Sequence, residues 1–95
     1  MIILVVYDIS SNEARYELSN YLKSKGFTRV QRSFFIGRPP SHVLLDVERV
    51  LPRFIRSEGD VIHIIPVPEI MVKQVRVYGK PLAEISIRNE HVVIE

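Results

Sequence analysis

From its N-terminus the chain is apolar without alternation: Ile2, Ile3, Leu4, Val5, Val6 and Tyr7 run up to Asp8, and Ile9 follows. A half-exposed strand shows a polar residue at every second position, so this β-branched run predicts a central strand covered on both faces. Asp8 is then the first polar group to leave the core. Ser10 with Glu13 three residues on predicts a capping box and a helix start. Apolar positions at Ala14, Leu18, Tyr21 and Leu22 keep the spacing of one helical face, and Gly26 stops it.

Phe27 to Gly37 is rich in strand formers with a break expected near Arg32, and the pattern allows two short antiparallel strands or one bent one. Pro39, Pro40 and Ser41 end that region and open a second helix, with apolar positions Leu44, Val47, Leu51, Phe54 and Ile55. Pro52 lies inside this pattern, where it removes a backbone donor and crowds the preceding turn, so a kink or short restart is expected. Val61 to Ile65 reads as another buried strand, closed by Pro66 and Pro68. The order strand, helix, strands, helix, strand is the plan of the ferredoxin-like βαββαβ fold, an α+β sandwich with its helices on one face of a mostly antiparallel sheet. Gln74 to Tyr78 predicts a further short strand and Ile85 to Ile94 a hairpin. One domain over 1–95 is therefore expected, with a core of about 1–67 and a C-terminal strand extension of about 68–95. Surplus strands at a sheet edge suit pairing with a partner protomer.

Composition narrows the functional classes. The chain has 95 residues, enough for one small core, and no cysteine, which excludes disulfides and thiolate zinc sites. Nothing argues for secretion: the apolar N-terminus lacks a basic flank and is too short to span a bilayer, so a cytoplasmic location is expected. The net charge of +2 is small, yet residues 11–38 carry six bases against two acids. Those bases include Arg15, Arg29, Arg32 and Arg38, the last three on or beside a predicted strand. Such a segment suggests an anionic partner.

Candidate chemistry is sparse. His42, His63 and His91 have no metal-ligand spacing, no serine has a histidine nearby with triad character, and no glycine-rich phosphate loop occurs. Asp8 is the one acid in a suggestive position, at the mouth of a strand, where it can hold a divalent cation, pair with Arg15 or cap the following helix. Magnesium takes about six oxygens, usually one or two carboxylates plus water and substrate phosphate, so a twofold axis bringing a second Asp8 close would suit it. Of Phe34 and Phe35, alternation sends one into the core and leaves at most one for a ligand.

Val6-Tyr7-Asp8-Ile9, Arg15 in the helix, and then Gly26-Phe27-x-Arg29-Val30-Gln31-x-Ser33-x-Phe35-x-Gly37 resemble the small CRISPR-associated adaptation protein family conventionally numbered two, partner of the spacer integrase. The resemblance covers most of the chain in element order and is specific in its first forty residues. It implies a ferredoxin-like homodimer whose C-terminal strand crosses to the partner's sheet, with Asp8 of each protomer facing across the interface. It also implies Mg2+-dependent nuclease activity on RNA or duplex DNA, and a bridging role between integrase dimers holding DNA. By position, Asp8 carries the catalytic and metal role, Arg15 and Arg29 are the basic residues that bind nucleic acid beside it, and Tyr7, Ser33 and Phe35 support them; Arg32 joins the nucleic-acid-binding set through the local excess of bases. Glu17 and Arg32 depart from the pattern, standing where the family often has a second helix base and an aromatic.

A dimeric nucleic-acid-binding adaptation subunit with metal-dependent endonuclease activity is thus the leading expectation. An RNA-cleaving toxin of the same fold is the alternative. A ferredoxin-like small-molecule sensor is a third, weakened by the lack of a glycine-rich ligand loop.

Overall fold

The computed structural model describes residues 1–83 in full and the backbone of 85–87 and 90–92. Its central strand β1 spans Ile2–Asp8, followed by helix α1 over Asn12–Ser24, strands β2 and β3 over Thr28–Gln31 and Phe34–Gly37, and helix α2 over Ser41–Val50. A 3-10 turn over Leu51–Phe54 leads to β4, Val61–Val67. The four strands lie in the order β2-β3-β1-β4, each pair antiparallel, which is the ferredoxin-like topology. The region 27–37 is two strands rather than one bent strand, and their register shifts between Arg29 and Gln31.

Local chemistry explains the helix ends. Ser11, not Ser10, is the N-cap of α1: its hydroxyl accepts from Ala14 N at 3.1 Å, so the expected capping box is displaced by one residue. Ser10 is drawn away by Asp60, whose Oδ1 accepts from both the Ser10 amide and hydroxyl at 3.0 Å. At the other end Gly26 takes φ +91°, and two backbone bonds close a Schellman motif, Phe27 N to Leu22 O at 3.0 Å and Gly26 N to Lys23 O at 3.1 Å. Pro52 has the predicted effect: the α-helix stops at Val50 and restarts as the 3-10 turn.

The two helices and the 3-10 turn cover one face of the sheet. Ile3, Val5, Tyr7 and Phe35 pack there against Leu18, Leu22, Val47 and Phe54. The opposite face carries Leu4, Val6, Phe34 and Ile36, with Val61, His63 and Ile65 from β4 in register beside β1. Here two expectations are corrected. β1 is central, but on the face away from the helices only Ile2 is fully buried, and Leu4 and Val6 keep partial exposure. β4 is an edge strand rather than a buried one, with Val61 at 38% and Ile65 at 41% exposure. An apolar run reports affinity for burial and cannot say whether its own chain supplies the cover.

Part of that second face is covered by the C-terminal segment. A short helix α3, Glu69–Val72, not foreseen from the pattern, is tied to the end of β3 by a salt bridge between Glu69 and Arg38. Val72 is buried against Ile2, Val30 and Ile36, with Val77 packed beside them. Gln74 to Tyr78 forms no strand, contrary to expectation, and crosses the sheet as irregular chain. Leu82 N donates to Val30 O at 2.9 Å along the β2 edge. The predicted hairpin appears as β5, Ile85–Ile87, paired antiparallel with β6, Glu90–Val92, while residues 88, 89, 93 and 94 of the predicted span lie outside the described residues. No helix among the described residues is long and apolar enough to cross a membrane.

Candidate nucleic-acid interface

Two sets of polar residues meet at the C-terminal end of β1, and strand alternation sends them to different faces. Tyr7 turns under the helices. It is 5% exposed, its ring stacks on Phe35 with centroids 6.2 Å apart, and its amide donates to Ser33 O at 3.0 Å. Phe35 is therefore core, supporting Tyr7 from behind, and Ser33 locks the strand end to the β2–β3 turn. Phe34 is the aromatic left partly exposed, on the opposite face.

Tyr7 forms part of the wall of a cavity of about 210 Å³ that also brings together Arg15, Arg29 and Arg32, with Tyr16 and Ser19 of α1 beside them. Each arginine comes from a different place: Arg15 from the first turns of α1, Arg29 from β2, Arg32 from the β2–β3 turn. Backbone carbonyls hold two of them. Arg15 Nη1 donates to Ile9 O at 2.9 Å, its other nitrogen reaches Asn12 Oδ1, and Arg29 Nη2 donates to Arg32 O at 3.3 Å. Arg29 Nε is buried with no acceptor. Among the described residues no carboxylate pairs with any of the three, whereas Arg38, Arg49 and Arg56 each have one. Burial pushes the Tyr7 phenol above its ordinary value of 10.0, against the opposing pull of Arg29 and then Arg15. The hydroxyl thus stays protonated at neutral pH and can donate.

Asp8 emerges on the other face, exposed and opposite Val61. It forms no salt bridge with Arg15, because that guanidinium is committed to the Ile9 carbonyl. It does not cap α1, a role taken by Ser11. Among the described residues no group of three or more His, Cys, Asp or Glu side chains could hold a metal. One chain's donor set is a single carboxylate, which does not by itself make a magnesium site. His63 lies on the same face, opposite Val6, and His42 is on α2, so neither joins a ligand cluster with Asp8. The side chain of His91 lies outside the described residues.

Glu17, which stands where the family often has a second helix base, is paired with a cation. Its Oε2 accepts from Arg56 Nη2 at 2.6 Å, and Arg56 in turn lies over the Phe54 ring at 5.9 Å. Sequence separation of 39 residues hid this pair. Asp60 was missed for the same reason. Its two oxygens accept from Ser10 and from the amides of Arg56 and Ser57, which fastens the β1–α1 turn to the loop before β4.

The class is thus a small α+β protein of ferredoxin-like fold, with an exposed acid at the end of its central strand and, on the other face, a cavity lined by three arginines without carboxylate partners among the described residues. The family model described as CRISPR associated protein Cas2 matches residues 1–75. A CRISPR-associated endoribonuclease Cas2 of Pyrobaculum aerophilum is 37% identical over 81 residues, covering 85% of this chain and 83% of that protein. A Cas1/Cas2 endonuclease fusion of Thermoproteus tenax is 35% identical over 57 residues, 60% of this chain and 22% of the fusion. The crystal structure of Streptococcus pyogenes Cas2 superposes with a TM-score of 0.73 at 20% identity, over 83% of this chain and all of that one. The chain belongs to the CRISPR-associated protein Cas2 family.

Proposed function

We propose that this protein is a CRISPR adaptation subunit that dimerises, binds nucleic acid backbone and bridges integrase dimers during spacer acquisition, with Mg2+-dependent endonuclease activity centred on Asp8. The observation that carries the reading is the position of Asp8, exposed at the rim of an apolar sheet face that the chain itself covers only in part. A second copy seated on that face would bury Val6, Val61 and Ile65 and bring two Asp8 carboxylates together. The relatives' names support the rest: several are called endoribonucleases, and the Thermoproteus tenax relative carries Cas1 and Cas2 in one chain.

The chemistry follows from that arrangement. Asp8 of each protomer would hold Mg2+, which when bound polarises a scissile phosphate. Arg15, Arg29 and Arg32 supply positive charge for the backbone of RNA or DNA, a contact blind to base sequence. With one carboxylate per protomer at the site, turnover would be slow, and the structural role does not depend on it.

Asp8→Asn tests the reading, since it keeps the side-chain shape and removes both carboxylates from the dimer. Cleavage of single-stranded RNA in Mg2+ should fall by orders of magnitude, while spacer integration with the integrase should persist. Full nuclease activity in the variant would assign cleavage elsewhere. Lost integration in a variant that still dimerises would give Asp8 a role in assembly.

A further inference from the structure

We infer that the cavity between α1 and β2 takes a terminal phosphate, the phosphomonoester at a nucleic acid strand end, in preference to the internal phosphodiesters it also contacts. The inference rests on the nucleic-acid reading above and deepens it.

Three guanidinium groups converge on one cavity of about 210 Å³ with no carboxylate beside them. Unpaired arginines in an exposed patch would spread apart to reduce their repulsion. These are held by their backbone acceptors instead: Arg15 by the Ile9 carbonyl and Arg29 by the Arg32 carbonyl. That leaves Arg29 Nε without a partner, and among the described residues no carboxylate pairs with Arg32. Tyr7 adds a hydroxyl whose proton is retained.

The donor inventory decides between the two kinds of phosphate. A diester carries one negative charge and two free oxygens, whereas a monoester carries roughly −1.5 to −2 at neutral pH and three strong acceptor oxygens. Arginine donates in planar pairs that match such oxygens bidentately. Arg29 and Arg32 with the Tyr7 phenol offer more free donors than the two oxygens of a diester take up and suit a monoester, while Arg15, engaged by the Ile9 carbonyl and Asn12, adds its charge. Asp8, on the far face of the sheet, would not reach a phosphate held here, so the bound group is not the one cleaved in the same protomer.

The test uses the full-length protein in chelator, with a fluorescent 12-nucleotide single-stranded DNA bearing a 5′-phosphate, a 3′-phosphate or hydroxyls at both ends. One phosphorylated form should bind at least about tenfold more tightly than the hydroxyl-ended strand, the scale of one charge-assisted hydrogen bond. Arg29→Gln and Arg32→Gln should each erase most of that preference, while Arg49→Gln, in an exposed pair on α2, should leave it unchanged. Equal affinity for all three strands, or a preference that survives in both cavity variants, overturns the inference and leaves nucleic-acid binding standing. Failure of every strand to bind overturns both. AMP competing as strongly as the phosphorylated strand would reassign the cavity to free mononucleotides.

Discussion

Tyr7 and Asp8 are neighbours in β1 yet leave the sheet on opposite faces, Tyr7 beneath the helices against Phe35 and Asp8 on the partly covered face opposite Val61. The two functions proposed at this strand end are therefore separable by mutation. Arg32→Ala should raise KM for RNA cleavage with kcat within about twofold, because it removes binding that is uniform along the reaction. A kcat that falls in step with kcat/KM would place Arg32 at the reacting phosphate instead.

The backbone-directed binding proposed above carries a salt signature. Each phosphate contact contributes a log-log slope of roughly 0.9 for duplex DNA. Arg29→Ala or Arg32→Ala should weaken duplex binding and flatten the slope by about one contact each. Titrations at several salt concentrations read this directly, and an unchanged slope in both variants would put the binding surface elsewhere.

The incompletely covered sheet face predicts a dimer at micromolar concentration. Ile65→Lys, at 41% exposure in the single chain, should leave the fold intact and shift sedimentation to the monomer. A wild-type protein that sediments as a clean monomer would remove both the shared face and the paired Asp8 site.

Gly37 is required by packing rather than by backbone conformation. A Cβ there would stand 2.7 Å from Cδ2 of the Phe27 ring, whose buried position leaves little room to yield. Gly37→Ala should destabilise by about 1–3 kcal/mol, as overpacking does. Chemical denaturation of the variant checks it.

Asp60 links stability to acid. Its hydrogen bonds, the Ser10 amide first and then those from Arg56, the Ser10 hydroxyl and Ser57, lower its pKa below the ordinary 3.8. A carboxylate depressed in the folded state binds protons more readily when unfolded, so its stabilisation is complete above the unfolded value and is lost as pH falls through the folded one. Asp60→Asn should lower the melting temperature at neutral pH and flatten its decline below about pH 4. Parallel profiles for the two proteins would mean that Asp60 contributes nothing through its charge.

Hydrophobic period and turn chemistry by themselves determined the core elements. β1, the α1 stripe of Ala14, Leu18 and Leu22, the Gly26 stop and the Pro52 restart are all local consequences of side-chain spacing and backbone stereochemistry, and they are where the pattern puts them. Their order was enough for a ferredoxin-like sheet, because few topologies join such elements by short connections. Tertiary structure alone decided which face each residue met. That Arg15 serves the Ile9 carbonyl and not Asp8, that Glu17 is neutralised by Arg56, and that Ser10 serves Asp60 and leaves the cap to Ser11 are contacts between residues distant in sequence or choices among near-equal local partners. The same holds for β4 and for Gln74 to Tyr78. Their β-branched residues announce a preference for burial, but whether a strand forms and what covers it depend on which neighbour is there to supply hydrogen bonds and apolar surface.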